Sequence, residues 1–242
     1  MVGKAMSEDL MLSQEEWVQR YRQHFELNIN EISQISPRVL KKLLFVVMLE
    51  SLAKARHPEI KSTRTRFLSC LGTSGNWDDR DRISLPQLLY RLELSNQHRL
   101  SPLVQRIRSE IATWQWGLVY PIGGRDPLAE DVRNWPETNA PNTSVIRLID
   151  QATHCNLLYD YRNHLVHEFR EPSSSGMEPT DHEYPYYFSL TSDGERIWDL
   201  IYPVAFLQRL VMAVLESVCA YFVEQSIDPY AAYDWGPTWR LR

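Results

Sequence analysis

Six consecutive residues, Arg162-Asn163-His164-Leu165-Val166-His167, carry the side chains of this chain best suited to chemistry. Arginine stays charged at every physiological pH, and its planar fork can grip two phosphoryl oxygens at once. Histidine titrates near neutrality, so His167 can take or give a proton. Asn163 lies four residues before His167, on the same helical face, where it can orient the imidazole or touch a phosphate. His164 is a second imidazole that can share proton transfer; its structural alternative is a partner for a backbone or acidic group at a helix end. Arg170 is a candidate substrate contact, or else pairs with Glu168 or Glu171 on the surface. Metal-free cleavage of an RNA phosphodiester needs these groups: a proton leaves the 2′-OH, another reaches the departing 5′-oxygen, and charge on phosphorus is offset.

Spacing sets a condition on that chemistry. Arg162 and His167 are five residues apart, about 140° around a regular helix. One unbroken helix therefore separates them. A two-fold dimer can bring two copies of the motif to one cleft.

The pattern is Arg, then a polar residue of the Asn, Asp or His set, then three residues, then His. A shuffled chain of this composition would hold about 0.07 such matches. On these residues the chain resembles the HEPN superfamily, whose members are small helical bundles, often homodimeric, many of them metal-independent ribonucleases. The resemblance covers mainly residues 143–225, where the motif sits between two long helices. It implies an endoribonuclease with Arg162 and His167 catalytic and Asn163 and His164 supporting. RNA would be the substrate, the active site would be composite across a homodimer, and no cofactor would be required. A toxin or phage-defence role, with an antitoxin as possible partner, belongs to the same implication. HEPN-like domains without nuclease activity belong to it too. The alternative is thus a non-catalytic dimerisation or ligand-binding module in which an Arg–Asn–His network pins two helices.

The elements that must position the motif read as helical. Ser13 is a fitting N-cap for a helix over Gln14 to Leu27, with Trp17, Val18, Tyr21 and Phe25 at three-and-four spacing. Ser36-Pro37 opens a helix to about Arg56, apolar nearly all round and hence central, which His57-Pro58 stops. Shorter helices follow over Ile60 to Leu71, closed by Gly72, then from Ser84 to Leu94 and from Ser101 to Trp114. Residues 117–142, rich in Pro and Gly, read as a long loop or insert. Thr143 or Ser144 caps a helix whose stripe (Val145, Leu148, Ile149, Ala152, Cys155, Leu158, Tyr159) runs directly into Arg162. After a loop over 171–183, strands over 186–190 and 196–201 flank Ser192-Asp193-Gly194 as a small hairpin. Pro203 starts a last long helix to about Gln225, and the aromatic tail from Asp228 packs back on the body. The expectation is an all-α fold: one HEPN-like domain over 1–242, a bundle of about six helices with a small β-hairpin inserted before the last.

Composition narrows the rest. The 242 residues are 43% hydrophobic, enough for a substantial core. Net charge is −5, which disfavours a non-specific nucleic-acid binder with a basic stripe. Yet only five of the 26 basic residues are Lys, at 4, 41, 42, 54 and 61; the Arg majority suits phosphate pairing. No apolar run reaches the roughly 18 residues that cross a bilayer, and the N-terminus lacks a signal pattern, so a cytoplasmic protein without membrane partners is expected. Cys70, Cys155 and Cys219 read as buried free thiols. His154, Cys155, His164 and His167 are metal ligands by type but poorly spaced, so no metal site is expected. Gly123-Gly124 lacks the rest of a phosphate loop and reads as a turn. Trp114, Trp116, Tyr184, Tyr186, Tyr187 and Phe188 suit core packing better than base stacking.

Overall fold

A computed structural model describes residues 13–74, 76–95, 101–138, 143–172, 178–192 and 194–230. The outer parts of the expected domain (1–12 and 231–242) lie outside the described residues, as do 139–142 of the expected insert, 173–177 of the loop before the hairpin, and Asp193 at its tip. The fold is all-α with a small antiparallel sheet ahead of the last helix.

Three long helices make the frame. The first, α1, spans Gln14–Gln34, and Ser13 and Glu16 close a capping box at its start. It runs past Leu27 because its buried stripe continues from Val18, Tyr21 and Phe25 through Ile29 and Ile32. Next comes α2, Arg38–Arg56, buried on most sides by Phe45, Val46, Met48, Leu49, Leu52 and Ala53. The last helix of the chain, spanning Val204–Glu224, follows Pro203 and packs on both α1 and α2. By length and composition that last helix could cross a membrane, which corrects the expectation that no segment reaches the limit. Its ten buried residues, from Val204 to Phe222, pack into the protein interior as a core helix does.

Smaller helices close the bundle. They are α3 (Thr63–Ser74), α4 (Leu85–Leu94), α5 (Ser101–Ala112), α6 (Ala129–Arg133), α7 (Thr143–Gln151) and α8 (His154–Glu168), so that the last helix is α9. Gly72 lies within α3 instead of ending it. Nine helices among the described residues exceed the expected six, and two local features add helices. Part of the expected insert folds: β1 (Val119–Pro121), α6 and short 3-10 turns fill it. And the stripe from Val145 to Tyr159 is two helices, not one.

The hairpin forms where the turn chemistry placed it, as β2 (Tyr186–Ser192) and β3 (Glu195–Ile201), with Gly194 at φ +80°. β1 adds to its open edge, pairing Val119 with Phe188 and Pro121 with Tyr186. The sheet order is β1-β2-β3. Trp114, after α5, packs its ring against Tyr187 and Trp198 at 5.1 and 5.2 Å, and Trp114, Tyr186 and Tyr187 are buried, whereas Trp116 and Tyr184 are exposed. Tyr230, the last described residue, sits edge-on to Trp17 and Tyr21, so the start of the aromatic tail does fold back on α1.

Candidate functional site

The motif lies on α8, and the chain breaks just before it. At Thr153 the backbone leaves the helical path to bridge Ile83. Ser84 N–H donates to the Ala152 carbonyl and His154 N–H to the Arg82 carbonyl, at 2.9 and 3.0 Å. These bonds satisfy groups that a continuous helix would have used internally, so α8 starts afresh at His154. From there it is unbroken through Glu168 and ends at Phe169, held at φ 53°.

Arg162 faces inward. Its side chain is 11% exposed, and Nε donates to Glu50 Oε2 of α2 at 2.8 Å. Nη2 donates to the same oxygen, and Nη1 to Asn163 Oδ1 at 3.0 Å. Asn163 thus turns its amide oxygen to Arg162 instead of to His167. The group ties α8 to α2 through a charge-assisted fork.

His167 faces outward. It is exposed, with no hydrogen bond or ion pair among the described residues. His164 Nδ1 lies 3.0 Å from Glu168, and Arg170 pairs with the same carboxylate at 2.5 Å. Some desolvation raises the Glu168 pKa, but Arg170 and then His164 outweigh it and hold the carboxylate below its usual range. His164 and Arg170 thus both contact the Glu168 carboxylate. Phe169 is 62% exposed. A left-handed conformation is costly for a side chain with a Cβ, and an exposed aromatic held this way beside His167 is a surface feature without a packing reason. The sequence pattern left Phe169 unremarked.

With α8 regular between them, Arg162 and His167 point about 140° apart. One chain does not converge them on one phosphate.

Two buried polar networks flank α8, and the sequence reading found neither as a network. In the first, Lys42 is fully buried in α2 and pairs with Glu171 at 2.8 Å and Glu178 at 2.5 Å. Tyr161 donates its hydroxyl to Glu171 at 2.8 Å, and Arg38 lies 3.4 Å from Glu178. Burial first, then the Glu171 charge, pushes the Tyr161 phenol well above its ordinary value. A lysine inside the apolar run of α2 was the available signal, since a buried charge demands partners. In the second, Asp126 takes hydrogen bonds from Tyr187 (2.6 Å) and from His154 Nε2 (2.7 Å), all buried. The Tyr202 hydroxyl donates to the His154 carbonyl at 3.2 Å. This network locks Asp126, from the expected insert, to α8 and the sheet. His154 is thereby a core residue; among the described residues no group of three or more His, Cys, Asp or Glu side chains is placed to hold a metal ion. Cys70 and Cys219 are buried, and burial raises their thiols to about 12 and about 11; Cys155 is half-buried and also raised by desolvation.

Fold and site together define a helical bundle that presents an exposed histidine on the same helix as a caged arginine. The chain matches no family model, no curated protein and no solved structure.

Proposed function

We propose that the chain is a metal-independent endoribonuclease of HEPN type, working as a homodimer whose active site takes residues from both copies. The observation that carries this reading is His167: exposed, without a partner among the described residues, and set at the motif spacing from Arg162 on one helix. In the proposed reaction a His167 imidazole accepts the 2′-OH proton. The 2′-oxygen attacks phosphorus, the P–O5′ bond breaks, and the leaving 5′-oxygen takes a proton from the second copy's imidazolium. The products are a 2′,3′-cyclic phosphate and a 5′-hydroxyl. Arg162 would offset the charge on the phosphoryl oxygens with the guanidinium hydrogens that Glu50 and Asn163 leave over. Exposed apolar side chains lie on the two helices that the Arg162–Glu50 pair joins: Val47 on α2, and Phe169 at the end of α8. They suit a contact with a second copy. A cytoplasmic toxin or phage-defence effector, restrained by an antitoxin, is the setting this activity fits.

The test is incubation of the purified protein with varied RNAs in the presence of chelator, beside His167→Ala and Arg162→Ala. Cleavage to cyclic-phosphate ends by the wild type, with loss in both variants, is expected. An inactive wild type, or variants as active as it is, would sink the reading.

A second reading rests on the Arg162–Glu50 fork. A guanidinium that is 11% exposed and paired across two helices also suits a non-catalytic dimerisation or ligand-binding module. That module requires His167→Ala to lower stability, which its exposure argues against.

A further inference from the structure

On the side of α8 that carries His164, a cleft of about 400 Å³ opens between α8, α4 and β3. We infer that this cleft is a nucleobase site, best matched to guanine, which holds a base of the RNA beside the histidines. The inference rests on the ribonuclease reading and names a substrate subsite for it.

The cleft is built by two facing stripes. Gln87, Tyr90, Arg91 and Leu94 come from α4 at helical spacing, and Leu157, Asp160, Tyr161 and His164 from α8 at the same spacing. Its inner surface is apolar in part. The rings of Tyr161 and Tyr202 line it, but their hydroxyls are spent elsewhere, on Glu171 and on the His154 carbonyl. A partly apolar floor and polar groups around the rim suit a base, which has apolar faces and a hydrogen-bonding edge. Tyr90 is 59% exposed on the wall, with no aromatic partner among the described residues, and offers a face for stacking.

The rim carries both kinds of charge a guanine edge needs. The Asp160 carboxylate, paired with Arg91 and 3.7 Å from Arg64, is one third exposed there and can accept further from N1–H and the exocyclic amine; Asp199, also in the lining, is buried. Arg91, 3.1 Å from Asp160, can donate to O6 and N7, the pairing arginine makes most often with guanine. Uracil, which lacks an amine, matches this edge least. His164 lines the cleft and His167 follows it by three residues, so a base seated here has its own 3′-phosphate on the side of α8 that carries the two histidines.

Calorimetric titration of the full chain with the 3′-monophosphates of guanosine, adenosine, cytidine and uridine tests this, since none of them can be cleaved. The guanosine nucleotide should bind most tightly, and Tyr90→Ala, at an exposed position, should weaken it at least fivefold. Leu157→Trp should block the cleft, with circular dichroism as a check on folding. No binding of any nucleotide, or binding that Tyr90→Ala leaves unchanged, would overturn the inference; equal binding of all four would overturn the guanine assignment. RNA cleavage without nucleotide binding defeats the cleft and spares the ribonuclease. Binding without cleavage does the reverse.

Discussion

Glu50 in α2 takes two hydrogen bonds on one carboxylate oxygen from the Arg162 guanidinium of α8. The pair joins two helices 112 residues apart in sequence and leaves the motif arginine largely out of solvent. Whatever the motif does, this fork sets the starting position of Arg162.

The fork should show as energetic coupling. In a double-mutant cycle of Glu50→Ala and Arg162→Ala, the interaction energy from urea unfolding should be about 1 to 2 kcal/mol. Additivity of the two changes would mean that the pair contributes nothing beyond its separate parts.

His167 should be dispensable for folding. It is exposed and unpaired among the described residues, so His167→Ala should shift stability by no more than about 0.5 kcal/mol. If it acts as a general acid or base, the same change should slow RNA cleavage by roughly a hundredfold or more. A large drop in the melting temperature would mark His167 as structural.

Lys42 should be the opposite case. Its ammonium is fully buried between Glu171 and Glu178, whose side chains are 8% and 3% exposed. Lys42→Met leaves two buried carboxylates with Arg38 as the remaining cation among the described residues, at an expected cost of about 3 kcal/mol. A urea midpoint unmoved by the substitution would show that the cluster is not held as described.

Alkali should unfold the protein through its buried phenols. Burial raises Tyr161, Tyr187 and Tyr202 well above the ordinary value of 10.0, each aided by neighbouring negative charge. A folded-state value above the unfolded one means the contribution is complete below about pH 10 and is lost as pH rises beyond it. Tyrosinate absorbance should therefore rise in two stages, the second coinciding with loss of helical circular dichroism. A single stage completed while the helices persist would contradict the burial.

Much of the scaffold was legible residue by residue. Ser13 with Glu16 announced the start of α1, and Pro203 the start of α9. The turn before Glu195 announced the hairpin. These are local signals, and local backbone chemistry answers them. The break at Thr153 was not legible, because periodicity survives when two helices follow one another and only the bridge to Ile83 separates them. β1 was missed because three residues of a strand have no period to read, and it exists through its pairing with Phe188 and Tyr187.

The sequence by itself determined an all-α chain, the helix that carries Arg162 and His167, and the angle of about 140° between them, since each follows from spacing along one backbone. Tertiary structure alone decided which of the two meets water. Glu50 draws Arg162 inward because a guanidinium leaving solvent needs a carboxylate, and His167 remains outside because none of the described helices covers it.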